Sequence, residues 1–355
     1  MVHLWIRAEQ RANEDRTGLT PEGAQILLAQ GFEVTVERSA NRIIPDLEFE
    51  NAGCEMASAQ SWPGAPHDAI IFGLKELPDD GTPLPHRHIM FGHAFKGQFA
   101  GQRLLQRFDA GGGALLDLEY LLDDSGRRLA AFGYWAGYAG AAVSLLAWAA
   151  QQQGGICPPV SVWRNKTDLL DILRSTLDQT GANRSVRAII IGAKGRVGTG
   201  ACDLCEALGC AVTGWDMKET AHGGPFPEIL THDVFLNCIL AGPETPVFVP
   251  KDSLEASRTL SVIGDIACDP DSAYNPIPLY KQATDWAAPV LRVHENTVLD
   301  VMAIDNLPSL LPLESSQDFA AQLLPVLSGL AEENDAVWAR AEDTFRHHIN
   351  ALRQE

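Results

Sequence analysis

Three glycines spaced three residues apart interrupt the middle of the chain, between an apolar run and a segment with helical spacing. They are Gly192, Gly195 and Gly198, and the preceding run at residues 187–191 is typical of a buried strand. Glycines at such a turn let the backbone approach a pyrophosphate at the N-terminus of the following helix. Asp216 closes the next predicted strand, where a carboxylate accepts hydrogen bonds from ribose hydroxyls. The spacing departs from the usual G-x-G-x-x-G fingerprint, and the segment predicts a dinucleotide-binding unit that begins near residue 185.

The composition limits the partners that the chain can have. A formal net charge of −19 and an isoelectric point near 4.9 argue against nucleic acid or an anionic membrane as a partner. A local cluster of basic residues is compatible with this overall charge. Seven cysteines form an odd set without framework spacing, and no charged and then apolar leader opens the chain. We therefore expect reduced thiols in a cytoplasmic protein. Cys202 and Cys205 lack a second ligand pair, so we expect no metal.

One segment resembles a membrane span. Residues 129–150 carry no charge, and their length is sufficient to cross a hydrocarbon layer of about 30 Å. The segment is rich in alanine and contains Gly133, Gly137 and Gly140, which favours a buried helix between domains. A membrane span is the alternative.

Predicted strands alternate with predicted helices in both halves of the chain of 355 residues, which is typical of parallel sheets covered on both faces. A chain of this length is expected to form two domains. Apolar residues at helical spacing near the C-terminus predict helices that pack back on the N-terminal domain. We predict an α/β fold with a substrate and catalytic domain formed by residues 1–133 and 315–355 and a cofactor-binding Rossmann domain at 134–314.

Two segments carry candidate acid-base residues. Lys75 and Glu76 directly follow an apolar run at 69–72, which places Lys75 at the carboxyl end of a predicted strand. Burial and neighbouring carboxylates shift the pKa of a lysine in a cleft into a range that is useful for acid-base catalysis. A solvated pair of Lys75 and Glu76 is an equal alternative. His93 and Lys96 follow a second apolar run at 89–91, and histidine suits proton transfer near neutral pH.

Arginines near these segments suggest a substrate with several carboxylates. Arg16, Arg127 and Arg128 stand out in a strongly acidic chain, and Glu119 lies between them in sequence. Because arginine binds carboxylates through two parallel hydrogen bonds, the set indicates a small polyanionic substrate. Each arginine taken alone is equally consistent with a surface charge.

Several blocks of sequence together resemble the lysine-forming saccharopine dehydrogenases, relatives of alanine dehydrogenase and of the cofactor-binding subunit of transhydrogenase. The likeness runs from Trp5 to the C-terminal helices. The blocks are Arg16 before Leu-Thr-Pro, Gly-Leu-Lys-Glu at 73–76, His-Ala-Phe-Lys at 93–96, Asp-Leu-Glu-Tyr at 117–120, residues 126–133, Trp-Asp-Met-Lys-Glu-Thr at 215–220 and residues 304–312.

The resemblance implies two Rossmann-like doubly wound domains with a cleft between them that binds NAD and L-saccharopine. Lys75 and His93 match the family's acid-base pair. The implied substrate site consists of Arg16, Lys96, Arg128 and Phe132, with Glu76 and Glu119 as carboxylates that adjust the pair, and with Asp265, Ile266 and Ala267 in a loop between the ligands. The implied cofactor contacts are Arg127, Gly192, Gly195, Arg196, Gly198, Asp216, Thr220, Ile304, Asp305, Asn306 and Leu307.

The chain departs from the family pattern at two of these places. Ala267 stands where fungal relatives tend to have serine. Val197 stands where they have a cysteine, so that no disulfide can form from the glycine turn.

The implied reaction is the reversible, NAD-dependent conversion of L-saccharopine to L-lysine and 2-oxoglutarate. Rival interpretations are a lysine-2-oxoglutarate reductase, another opine or amino-acid dehydrogenase, and an inert NAD-sensing subunit similar to transhydrogenase. The inert subunit would be expected to lack Lys75 and His93, and this chain has both. Asp216 favours NAD over NADP because its charge would repel a 2′-phosphate, although a nearby arginine could reverse this preference.

Overall fold

The computed structural model describes residues 1–182, 184–333 and 335–354, and it divides the chain into two compact units. Unit 1 comprises Met1–Ala131 and Pro312–Glu355, and unit 2 comprises Phe132–Leu311.

Unit 1 is built on six parallel strands. The strands are β1 (His3–Ile6), β2 (Glu33–Glu37), β3 (Glu55–Ala57), β4 (Ile70–Phe72), β5 (Arg87–Met90) and β6 (Ala114–Asp117). Their order in the sheet is β3-β2-β1-β4-β5-β6, which is the Rossmann order. The chain adds strands on one side of β1 up to β3 and then on the other side from β4 onward, although β1 and β4 are parallel. This change of side leaves a crevice at the carboxyl ends of β1 and β4, where ligands bind in such sheets.

Helices from both ends of the chain cover this sheet. The C-terminal helices belong to the same unit, because the amide of Thr17 donates to the Ser316 hydroxyl (3.0 Å) and the Phe108 and Phe345 rings pack edge to face. The helices are α1 (Pro21–Ala29), α2 (Asp46–Asn51), α3 (Phe99–Gly111), α9 (Pro312–Ser328) and α10 (Ala336–Leu352), with single 3₁₀ turns at Trp62–Gly64, Leu118–Tyr120 and Gly329–Ala331.

Unit 2 has a second sheet of six strands in the order β11-β12-β10-β9-β7-β8. All its pairings are parallel except that of β11 with β12. The strands are β7 (Arg187–Ile191), β8 (Ala211–Trp215), β9 (Val234–Asn237), β10 (Val262–Asp265), β11 (Leu291–His294) and β12 (Leu299–Met302). The predicted α/β class with two mostly parallel sheets is confirmed.

The uncharged segment at 129–150 forms most of a long buried helix, α4 (Gly133–Gln152). It packs closely on α6 (Arg196–Ala207), because a Cβ atom at Gly137 would lie 1.8 Å from the Val197 carbonyl oxygen. Within the described residues, no helix has the combined length and hydropathy that a membrane crossing requires. The remaining helices of unit 2 are α5 (Lys166–Asp178), α7 (Met217–Thr220) and α8 (Pro227–Leu230), with 3₁₀ turns at Lys251–Leu254 and Leu307–Leu310.

Candidate functional site

Lys75 lies at the crevice of unit 1, in the loop that follows β4. Its side chain is partly buried, and burial, together with the positive charges of Arg16 and Arg11, lowers the pKa of its ammonium group although Glu14 and Glu76 act in the opposite direction. A lower pKa increases the fraction of neutral amine near neutral pH.

Arg16 and Glu14 form a buried ion pair beside Lys75. The Arg16 Nε and Nη2 atoms donate to the two Glu14 carboxylate oxygens at 2.7 and 2.6 Å. Burial alone would raise the pKa of Glu14, but the charge and hydrogen bonds of Arg16 outweigh it and hold the pKa low. A cavity of about 10 Å³ adjoins the pair. A substrate carboxylate at Arg16 would have to share the guanidinium with Glu14.

A second group of charges gathers around Glu119. One Glu119 oxygen accepts from the Lys96 ammonium (2.9 Å) and from Arg128 Nη2 (3.0 Å), and the other lies 3.9 Å from His93 Nδ1. Burial alone would raise the pKa of Glu119, but the hydrogen bond and charge of Lys96, with the charges of Arg128 and His93, lower it. The structure thus brings four predicted residues, His93, Lys96, Glu119 and Arg128, into one cluster.

The backbone presents His93 to solvent. His93 has a φ of +48°, in the left-handed region that non-glycine residues rarely adopt, and its side chain is 49% exposed. Its ring stacks on that of Phe91 at a centroid distance of 6.5 Å. The parallel pairing of β4 with β5 brings the segments that carry Lys75 and His93 to the same edge of the sheet.

Asp117, to which we assigned no role from sequence, ties this cluster to the sheet. Its buried carboxylate accepts from the amides of Gly92 (3.2 Å) and Glu119 (2.9 Å). Burial raises its pKa to about 6, although both amides counteract this effect. One side chain therefore holds the two segments that carry His93 and Glu119.

The other predicted residues near these segments lie at the edge of these groups of charges or outside them. Glu76 is exposed and lies 3.5 Å from Arg11. Arg127 is 79% exposed and pairs with Asp123 at 3.5 Å. Phe132 belongs to unit 2, where it precedes α4 as the N-cap residue.

The glycine turn of unit 2 has the close backbone packing that a phosphate-binding turn requires. Gly192 has a φ of +86°, and a Cβ atom at Gly198 would lie 2.0 Å from the Gly192 carbonyl oxygen. Gly195 is the N-cap of α6, and Arg196 begins this helix with an exposed side chain. The N-terminus of α6 thus presents free backbone amides at the carboxyl edge of the sheet, where anions bind.

Asp216 follows β8 and faces this turn. Its carboxylate accepts from the Lys194 amide (3.2 Å) and the Met217 amide (3.0 Å), and it forms a capping box with Glu219 at the start of α7. The Thr220 hydroxyl donates to the Asp216 carbonyl at 3.3 Å. Asp216 therefore stabilises the local fold in addition to any contact with a ribose.

Two further predicted loops end neighbouring strands of this sheet. Asp265 is buried at the end of β10 and accepts from Asn237 Nδ2 (2.9 Å) and the Tyr280 hydroxyl (2.6 Å), while burial raises its pKa. Ile266 is buried and Ala267 is partly exposed. In the loop after β12, Ile304 and Leu307 are buried, Asp305 is exposed, and Asn306 donates to the Ser309 hydroxyl at 2.7 Å.

Arg7 and Glu9 contact the backbone of Lys75 and were not predicted from sequence. Both follow β1 directly, as Lys75 follows β4. The signal that would have revealed them is a pair of charged residues at the end of a strand beside the point of reversal. No set of three or more His, Cys, Asp or Glu side chains in the described parts of the chain is arranged to hold a metal ion.

Comparisons with known proteins give one consistent result. Residues 5–139 match the family model of the alanine dehydrogenase/PNT N-terminal domain. A saccharopine dehydrogenase [NAD(+), L-lysine-forming] of Schizosaccharomyces pombe is 43% identical over 99% of both chains, and that of Yarrowia lipolytica is 44% identical over 98% of both. Among solved structures, an L-alanine dehydrogenase has a TM-score of 0.72 at 18% identity, covering 99% of each chain. A transhydrogenase from Sinorhizobium meliloti has a TM-score of 0.63 at 18% identity, covering 93% of this chain and 94% of its own. These two structures share the fold.

Proposed function

The chain belongs to the saccharopine dehydrogenase family, and from this premise we propose that it catalyses the oxidative deamination of L-saccharopine with NAD. One L-saccharopine, one NAD⁺ and one water give L-lysine, 2-oxoglutarate, NADH and one proton. The observation that carries the proposal is identity above 40% along nearly the whole of both chains, joined to a lysine of lowered pKa at the crevice of unit 1.

The turn at Gly192–Gly198 and Asp216 would hold the cofactor. The amides at the start of α6 suit the pyrophosphate, and the closeness of Gly198 to Gly192 leaves no room for a side chain in the turn. Asp216 suits the adenosine ribose, and its negative charge disfavours the 2′-phosphate of NADP. Bound NAD supplies the acceptor for the hydride. Arg127, Arg196, Thr220 and residues 304–307 are further proposed contacts.

Lys75 would take the proton from the secondary amine of saccharopine. Its lowered pKa supports this role, because a base must be neutral before it can accept a proton. The charges of Glu14 and Glu76 favour the ammonium form and so oppose the lowering of the Lys75 pKa.

His93 would move protons during the addition of water to the imine and the collapse of the carbinolamine. Its exposed ring suits exchange with water, and its Nδ1 atom lies 3.9 Å from a Glu119 oxygen. Lys96 and Arg128 would bind substrate carboxylates. Both are cations, and their contacts with the same Glu119 oxygen hold them close to each other. Arg16, Phe132 and residues 265–267 complete the proposed substrate contacts.

We propose that unit 1 is the substrate and catalytic domain, that unit 2 is the NAD-binding domain, and that the protein acts in the cytoplasm. Seven free cysteines support this location. L-Saccharopine, L-lysine and 2-oxoglutarate are the expected ligands, whereas a net charge of −19 disfavours nucleic acid as a partner.

Steady-state assays with the purified protein test the proposal. Lysine, ornithine and alanine should each be supplied with 2-oxoglutarate and with NADH or NADPH, and saccharopine with NAD⁺. We expect turnover with lysine and NADH, and with saccharopine and NAD⁺. A preference for ornithine or alanine would instead assign the protein to another opine or amino-acid dehydrogenase, and turnover with no substrate pair would favour an inert subunit.

A further inference from the structure

Glu9 holds the backbone on which Lys75 stands. Its two carboxylate oxygens accept from the amides of Leu74 (2.6 Å) and Lys75 (3.1 Å). Its side chain is 7% exposed, so that water competes little for these bonds. The end of β1 is thereby tied to the loop after β4, directly across the crevice.

Arg7 completes the contact at the other backbone group of the same residue. Its side chain is fully buried, lies 3.4 Å from Glu9 and donates to the Lys75 carbonyl oxygen. The guanidinium also lies against Gly73, where a Cβ atom would come within 2.3 Å of Arg7 Nε. Glycine at 73 is therefore what leaves room for Arg7. With Glu9 on the amide and Arg7 on the carbonyl, both polar backbone groups of Lys75 are held.

We propose that Arg7 and Glu9 are positioning residues for Lys75, an inference that rests on the proposed function of Lys75 as the proton acceptor. A buried ion pair costs desolvation energy, and this one directs its hydrogen bonds at the backbone amides of Leu74 and Lys75 and at the Lys75 carbonyl. The lysine side chain is long and flexible. A fixed backbone sets the point from which this side chain extends and so limits the positions that its ammonium group can reach. Misplacement of a reacting group by about 1 Å can cost about 10²-fold in rate.

Amide hydrogen exchange tests the contact without reference to activity. In Glu9→Ala, the amides of Leu74 and Lys75 should exchange about tenfold faster or more, since both lose a charged acceptor. Glu9→Gln should have an intermediate effect, because one carbonyl oxygen still accepts. Gly73→Ala, which displaces Arg7 and leaves Glu9 in place, provides a second variant if Glu9→Ala does not fold.

Asp233→Asn is the matched control. Asp233 is also a buried carboxylate that pairs with an arginine, Arg184 at 2.6 Å, and accepts a backbone amide, that of Arg187 at 2.8 Å. It lies before β9 in unit 2, whereas Lys75 belongs to unit 1. It therefore reports the effect of a weakened buried ion pair alone.

Kinetics then separate positioning from stability. Glu9→Ala should lower kcat by about 10²-fold with little change in the KM for NADH, and should alter the pH dependence of kcat. Labelling of Lys75 with an amine reagent across pH should show a changed titration in the same variant. Asp233→Asn should leave kcat and the Lys75 titration unchanged.

Three results would overturn the inference. These are unchanged amide exchange at Leu74 and Lys75 in Glu9→Ala, faster exchange with normal kcat, and an equal loss of kcat in Asp233→Asn. If the wild-type protein does not turn over saccharopine, the proposed function fails, while amide exchange and Lys75 labelling still decide whether Arg7 and Glu9 position the lysine.

Discussion

Asp117 offers a test of the site through the pH dependence of stability. Its carboxylate is fully buried and accepts from the amides of Gly92 and Glu119. Burial raises its pKa from the ordinary 3.8 to about 6. Because the pKa in the folded state is the higher one, the group stabilises the fold below about pH 3.8, and this stabilisation is lost as the pH rises through 6. Asp117→Asn removes the titration and keeps the shape.

The size of the effect follows from the two pKa values. They differ by about 2, so that titration of Asp117 lowers the free energy of unfolding by about 3 kcal/mol at pH 8 and by roughly half as much at pH 5, relative to low pH. The asparagine leaves one of the two amides without a carboxylate oxygen, at a cost of about 1 to 3 kcal/mol that does not depend on pH. From pH 5 to pH 8, the stability of the variant relative to wild type should therefore rise by about 1 kcal/mol.

Urea denaturation of both proteins at pH 5, 6, 7 and 8 measures this change. Asp123→Asn is the control, because hydrogen bonds from Ser125 and Arg127 lower the pKa of Asp123, and its carboxylate stays ionised in both states over this range. The control should show no such trend. A difference between Asp117→Asn and wild type that stays constant with pH, or that moves against the variant, would refute the account of a buried carboxylate with a raised pKa.

Three further predictions concern the proposed catalytic and ligand contacts. Lys75→Met and His93→Gln should each lower kcat by about 10²- to 10⁴-fold with little change in NADH affinity. The double variant should lose much less kcat than the product of the two single losses, whereas fully multiplicative losses would show that the two residues act independently. Asp216→Ala should weaken NADH binding by about 1 to 3 kcal/mol and relax discrimination against NADPH, as judged by titration with both cofactors; similar kcat/KM values for NADH and NADPH in the wild type would contradict this role. Arg128→Gln should raise the KM for saccharopine far more than that for NAD, whereas Arg127→Gln should do the reverse, and equal effects of each variant on both KM values would contradict the assignment.

The local pattern of the sequence was sufficient to predict the strands and helices near the site. The run at 187–191 forms β7 with the predicted bounds, and the run at 69–72 contains β4. Both are short apolar segments, for which burial is predicted from composition alone. The glycine turn was predicted from its three glycines. The structure gives the physical reason at Gly198, where the backbone approaches Gly192 so closely that no side chain fits.

The two acid-base candidates that the sequence singled out each follow such a strand. Lys75 and His93 stand after β4 and β5, and the carboxyl ends of parallel strands share one edge. The family resemblance added residues such as Arg196 and Thr220, for which spacing alone gives no signal. Their contacts with ligands remain predictions.

The tertiary structure decided which charges meet. Glu119 gathers Lys96, Arg128 and His93, and Glu9 holds the peptide of Lys75 although 66 residues separate the two in sequence. Hydrophobic periodicity specifies which face of an element is buried, but it contains no information on the neighbouring strand. Glu9 meets Lys75 because β1 lies beside β4 in the sheet, and that adjacency results from strand order and from the packing of the whole domain.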